Sequence, residues 1–153
     1  MIAIIDYKAG NLHSVEKALK FINVNAVVTD DPELILNADG VVLPGVGAFS
    51  DCIASLRHEK LDRVVLKTID KATPFLGICL GYQMLFEHSE EHAGNGGTVK
   101  GLGVFKGGVR RISGDTGLKV PHIGWSRLII ERPSPLLAGL PDEPFVYFVH
   151  SYY

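Results

Sequence analysis

Short apolar runs alternating with amphipathic stretches predict an α/β domain on a mostly parallel central sheet, with antiparallel strands added in the C-terminal half. Three observations carry this. From Met1 to about Glu87, apolar runs of strand length are separated by segments whose apolar residues recur at three- and four-residue spacing. Beyond Gly94, Gly96 and Gly97 the pattern changes to strand-like segments separated by glycines. With 153 residues, 46% of them hydrophobic, the chain can bury about 70% of its unfolded surface without disulfides or metals.

MIAIID (1–6) predicts a buried first strand. Asn11 can cap a helix whose Leu12, Val15, Leu19 and Ile22 share one face. Residues 24–28 predict strand two. Asp31-Pro32 is a helix start, because Pro loses nothing at the first helical position and Asp accepts from orphan amides. Residues 40–43 predict strand three, running into PGVG (44–47). A helical stretch follows over 48–71, broken near His58. Residues 74–78 predict strand four and 80–87 a further helix. Residues 102–112, 120–130 and 145–153 are the later strand candidates, with a helical turn over 134–140. The last candidate strand meets Tyr153 without a cap or turn, so the expectation is one domain over 1–153 that lacks its C-terminal end.

Charge and composition exclude several classes of function. Fifteen Lys and Arg against seventeen Asp and Glu leave a net charge of −2, and the densest basic cluster is Lys106, Arg110 and Arg111. Three charges are too few for a phosphate-binding face, so no nucleic-acid partner is predicted. No secretory signal opens the chain and no apolar run reaches about 18 residues, which predicts a reduced cytoplasmic protein with no membrane association. Cys52 and Cys79 form no disulfide scaffold. Cys52, with Ile53 and Leu56 nearby, is expected in the core.

The chemistry concentrates in PFLGICLGYQ (74–83), where a buried strand meets a helix through Gly77, Cys79 and Gly81. G-x-C-x-G is a nucleophile elbow carrying sulfur: small flanking residues let the chain turn sharply, so the nucleophile projects from the sheet's carboxyl end. At a helix start, free amides favour thiolate over thiol. The plainer alternative is a small buried hydrophobe between glycines that permit close packing. PGVG favours the first reading, since it falls at the end of strand three, where elbow enzymes recruit a second oxyanion donor. The amide of Leu80 and one from Val46 or Gly47 would face the same developing oxyanion, and losing such a donor typically costs about 100- to 1,000-fold in rate.

These stretches, IAIIDYKAGNLHSV (2–15), LPGVGAF (43–49), GICLGYQMLFEHSEE (77–91), VPHIGW (120–125) and YFVHSYY (147–153), resemble the class I glutamine amidotransferases. Among these they are most similar to the glutaminase subunits of imidazole glycerol phosphate synthases, of histidine biosynthesis. The resemblance implies a flavodoxin-like core and a Cys-His-Glu triad that hydrolyses glutamine to glutamate and ammonia, with Cys79 as nucleophile. Ammonia would pass to a (β/α)8-barrel cyclase subunit, and no cofactor or metal is implied. It also implies that Gly47, Gln83, Glu91, His150, Ser151 and Tyr152 hold glutamine and that Asn11, Trp125 and Tyr147 face the cyclase. Two positions depart from the family pattern: Ser126 stands where Asn is usual, and Lys8-Ala9 replaces a glycine-rich pair.

In that family the catalytic His and Glu come from an H-P-E-like motif beyond YFVHSY, and no such motif occurs in the 153 residues. Intrinsic activity is therefore expected to be impaired, since general acid–base assistance is typically worth about 100- to 10,000-fold. Two alternatives stay open: a catalytically inactive assembly subunit of the same fold, and another Cys-dependent hydrolase using His122 or His150 as base. His88, Glu91 and His92 fit H-x-x-E-H, but the glycines that follow predict a solvated helix end and no metal site. GLGVFKGG (101–108) lacks the third glycine of a dinucleotide-binding loop.

Overall fold

The computed structural model describes residues 1–91, 97–114, 117 and 119–153. Two compact units are present, Met1–Arg110 and Arg111–Tyr153.

The first unit is built on a four-stranded parallel sheet of order β2-β1-β3-β4. Its strands are β1 (Ile2–Ile5), β2 (Ala26–Thr29), β3 (Gly40–Gly45) and β4 (Phe75–Cys79). The crossovers are helical, as parallel pairing requires: α1 (Leu12–Phe21), α2 (Pro32–Leu36), α3 (Phe49–His58) and α4 (Asp62–Asp70). Asn11 caps α1 by accepting from Ser14 N at 3.3 Å, and Asp31 caps α2 by accepting from Glu33 N at 2.8 Å. Both capping residues are those the sequence singles out. The core lies on one face of the sheet, where Ala3, Ile5, Val41 and Leu43 meet Ile35 of α2, Phe49, Ile53 and Leu56 of α3, and Val64 and Val65 of α4. Ile4 and Val42 are buried on the opposite face. No residue of α1 is buried, and Ile22, expected on its packed face, is exposed beyond the helix end.

The short helix α5 (Leu80–Gln83) follows β4 directly. The helix expected over 80–87 does not continue, because Phe86–Ser89 forms strand β5 in a three-stranded sheet of order β6-β5-β7. The spacing of Tyr82, Leu85 and Phe86 imitates a helix, yet the rings of Tyr82, Phe86 and Phe105 pack together at centroid separations of 5.3 to 6.2 Å across strand and turn. Strand β6 (Val99–Lys100) lies outside the expected segments, and β7 (Phe105–Val109) occupies the middle of 102–112. β5 pairs antiparallel with β6 and parallel with β7, so one parallel pairing stands among the antiparallel additions. Arg57 of α3 donates to the carbonyls of Lys100 and Gly101, both at 3.0 Å, and so fastens this sheet to the first.

In the second unit β8 (His122–Arg127) and β9 (Phe145–His150) form an antiparallel pair, with Trp125 opposite Tyr147. A 3-10 turn at Pro135–Leu137 lies within the expected helical turn. Among the described residues no helix is long and apolar enough to cross a membrane.

Candidate active site

Cys79 ends β4 and precedes α5, with φ +54° and ψ −117°. Side chains rarely adopt this backbone conformation, and holding one there typically costs about 1–3 kcal/mol. The surroundings impose it. Gly45 pairs with Cys79 in the β3–β4 register. A Cβ on Gly45 would lie 2.5 Å from the Gly81 amide nitrogen, one on Gly81 would lie 1.8 Å from the Leu43 carbonyl oxygen, and one on Gly77 would lie 2.6 Å from the Tyr82 Cα. Three glycines thus let the start of α5 press against the end of β3, and the chain between them has to turn through Cys79. Leu80 is buried while Cys79 is exposed, so the elbow presents its sulfur to solvent and plants the next residue in the core.

PGVG continues from β3 beside this elbow. Gly45 is buried, whereas Val46 and Gly47 are exposed, and Gly47 takes φ +95°, which glycine tolerates. A group of side chains below the loop holds it. Tyr7, fully buried two residues after β1, donates its hydroxyl to the Pro44 carbonyl at 2.7 Å. Cys52, buried in α3, donates its thiol to the Val46 carbonyl at 3.2 Å. Ser55, one turn further along α3, donates to the Tyr7 carbonyl at 2.6 Å. Burial pushes the Tyr7 phenol far above its ordinary range, with the neighbouring Cys52 adding to the rise. Burial likewise raises the Cys52 thiol, although hydrogen bonding with Tyr7 and with the Val46 backbone opposes the rise. Both groups therefore stay protonated and able to donate at neutral pH.

Glu91 accepts the Phe49 backbone N–H at 2.9 Å through Oε2. Ala48, the residue before α3, provides no side-chain cap, so a carboxylate distant in sequence does this at the helix's positive end. The Glu91 amide donates in turn to the Ser89 hydroxyl at 3.1 Å. Gln83, half-buried on the last turn of α5, shares the elbow's helix. The first unit thus brings Cys79, Leu80, Val46, Gly47 and Gln83 to the β3–β4 end and fixes Glu91 at the start of the helix that leaves PGVG. Tyr7 and Cys52 were not singled out as site residues in the sequence. The available signal was the three-residue spacing of Cys52 and Ser55 on the helix following PGVG.

His150, Ser151 and Tyr152 lie in the second unit. His150 Nδ1 is 2.9 Å from the Tyr152 carbonyl, His150 Nε2 is 3.2 Å from His122 Nδ1, and His122 Nε2 is 3.0 Å from the Ser126 hydroxyl. A carbonyl only accepts, so with both rings neutral the protons sit on His150 Nδ1 and His122 Nδ1, and Ser126 donates. Both histidines are thus committed to each other and to their own hairpin. The Ser151 carbonyl accepts from the Ile112 amide at 2.9 Å. Trp125 and Tyr147 stack edge-on at 5.6 Å, 69% and 54% exposed, on the exposed face of β8 and β9 with Ile123, Phe145 and Val149. Asn11 is occupied as the cap of α1.

His88 and Glu91 of the H-x-x-E-H pattern fall on β5 and just after it, not on a helix, and the His88 ring rests over Gly108 of β7. His92 and the glycines 94 and 96 lie outside the described residues. Among the described residues no three His, Cys, Asp or Glu side chains are grouped to ligate a metal.

The profile of the family described as glutamine amidotransferase class-I matches residues 3–153. The chain is 52% identical over 154 residues to the imidazole glycerol phosphate synthase subunit HisH of Thermosynechococcus vestitus, an alignment covering 99% of this chain and 71% of that protein. It is 49% identical over 157 residues to the subunit of the same name from a Geobacillus species, covering 100% of this chain and 72% of that one. The fold is shared with a crystal structure of a glutamine amidotransferase, at a TM-score of 0.70 and 18% identity over 97% of this chain and 71% of that one. With its elbow, its PGVG loop and close relatives along its whole length, the chain belongs to the class I glutamine amidotransferases, in their HisH branch.

Proposed function

We propose that the chain is the glutaminase subunit of an imidazole glycerol phosphate synthase, working in the cytoplasm with a (β/α)8-barrel cyclase subunit. The observation that carries this reading is the strained, exposed Cys79 at the carboxyl end of β4, in register with Gly45 of PGVG. Cys79 Sγ attacks the side-chain carboxamide carbon of glutamine, and the carbonyl electrons move to oxygen. The amides of Leu80 and of Val46 or Gly47 receive that charge. Collapse breaks the C–N bond as the proton given up by the thiol passes to the leaving nitrogen, which releases ammonia and leaves a glutamyl thioester on Cys79. Water then adds to the thioester and glutamate departs as the thiol reforms.

Gln83 and Glu91 hold glutamine beside the elbow, Glu91 from its place at the start of α3, and the family resemblance adds His150, Ser151 and Tyr152 as substrate contacts. Ammonia passes to the cyclase, which the chain meets through Asn11, Trp125 and Tyr147. Intact-mass spectrometry after exposure to a chloromethyl ketone analogue of glutamine tests the site. A single adduct that requires Cys79 and is blocked by glutamine is expected. Labelling unaffected by Cys79→Ala or by glutamine would overturn the assignment.

A further inference from the structure

We propose that Cys52 and Tyr7 are positioning residues for the oxyanion loop, holding from below the two carbonyls that flank the Gly45–Val46 peptide. The inference rests on the proposed glutaminase site and adds to it two residues that touch neither substrate nor the reacting atoms. The geometry is specific. The Tyr7 hydroxyl fixes the Pro44 carbonyl at 2.7 Å and the Cys52 thiol fixes the Val46 carbonyl at 3.2 Å. A trans peptide is planar with its C=O and N–H on opposite sides, so fixing a carbonyl fixes the direction of the next residue's amide. Val46 C=O drawn down onto Cys52 turns the Gly47 N–H to the other side of the loop, away from the core. The Gly45–Val46 peptide, which carries the Val46 N–H, is confined between two anchored neighbours.

Val46 is 51% exposed, and a side chain on Gly47 would meet nothing within 4 Å. The anchors are themselves rigid: Tyr7 and Cys52 are buried, and Ser55, on the same face of α3 as Cys52, holds the Tyr7 backbone at 2.6 Å. The raised Cys52 thiol remains a donor throughout the neutral range. Oxyanion donors act only when preorganised, and misplacement of a reacting geometry by about 1 Å can lower a rate by about 100-fold. Burial and the fixed partner also set Cys52 apart from Cys79: the two sulfurs have opposite tasks, one exposed to react and one enclosed to hold.

The experiment compares Cys52→Ala with Cys52→Ser. Both remove the sulfur's bulk, so their packing loss is shared, but only Ser keeps a donor for the Val46 carbonyl. The probe is glutamate γ-semialdehyde, whose aldehyde carbon bonds to Cys79 Sγ. The carbonyl oxygen becomes the hemithioacetal oxygen and takes up the thiol proton, so no leaving group or base is consumed. Its affinity therefore reports the oxyanion donors, whereas the affinity of glutamine reports ground-state binding. Calorimetry is expected to show the semialdehyde weakened about tenfold or more by Cys52→Ala, less than the loss of a whole donor. Cys52→Ser should restore most of that affinity. Glutamine affinity and iodoacetamide alkylation of Cys79 should stay near the parent values in both. Tyr7→Phe should act in the same direction.

Equal semialdehyde affinity in parent, Ala and Ser forms would overturn the inference. An equal loss in Ala and Ser, with slower iodoacetamide alkylation, would overturn it too by assigning Cys52 to core packing. If the parent chain binds the semialdehyde no better than Cys79→Ala does, the glutaminase site itself is wrong, a failure distinct from the other two.

Discussion

Replacing Cys79 by glycine should make the chain more stable than replacing it by alanine, although both remove the nucleophile. At φ +54° and ψ −117° any side chain is strained, by about 1–3 kcal/mol, and glycine is not. Glycine also loses more freedom on folding, about 0.5–1 kcal/mol. The difference leaves Cys79→Gly ahead of Cys79→Ala by about 1 kcal/mol. Little burial is lost in either variant, because Cys79 is exposed. For a chain of this size that gain corresponds to a rise of about 2–4 °C in melting temperature. Urea titration and calorimetric melting of the two variants measure it. A glycine variant that melts below the alanine variant would refute the claim that the elbow stores strain at its nucleophile.

Gly81→Ala should destabilise by more than about 2 kcal/mol and abolish Cys79 labelling by the glutamine analogue, because its Cβ would sit 1.8 Å from the Leu43 carbonyl oxygen; denaturant titration and intact mass read the two effects. Glu91→Ala should lower stability by about 1 kcal/mol through loss of the α3 cap and weaken glutamine binding more than it slows iodoacetamide alkylation of Cys79; calorimetry beside alkylation rates checks both. Lys8 bonds to Asp30 at 2.8 Å and to Asp6 at 3.2 Å, and these bonds raise the Lys8 ammonium above 10.5 and lower the Asp30 carboxyl below 3.8. The Asp30 contribution is complete above its unfolded value and lost as pH falls through the lowered one, while that of Lys8 is complete below 10.5 and lost as pH rises through the raised one. The stability difference between parent and Lys8→Met should therefore be flat from about pH 5 to 9 and shrink below about pH 4, as denaturant titrations across pH would show. Trp125→Ala should weaken cyclase binding by about 2 kcal/mol with little change in melting temperature, measured by surface plasmon resonance.

The parallel half of the fold was legible because its determinants are local. Caps at Asn11 and Asp31 and four apolar runs mark the βα units, and the glycines around Cys79 mark the place where strand and helix must touch. The stretch after Gln83 was less so. Tyr82, Leu85 and Phe86 have helical spacing, and what makes 86–89 a strand is pairing with residues 99–109, contacts that no local window contains. β6, only two residues long, has no periodicity to read. At the site, Cys79 and PGVG were visible as motifs, whereas their support was not. Tyr7 reaches Pro44 only because β1 lies beside β3, and Glu91 reaches Phe49 across 42 residues. Such contacts follow from strand order and register, which residue types alone do not specify.

The most direct test of the central claim, that Cys79 attacks the carboxamide of glutamine on this elbow, is acid-quenched intact-mass spectrometry of the chain mixed with glutamine and its cyclase partner. A glutamyl adduct on Cys79, labile to hydroxylamine as a thioester should be and missing from Cys79→Ala, is the expected result. Glutamine bound at saturating concentration with no Cys79 thioester at any quench time would contradict it.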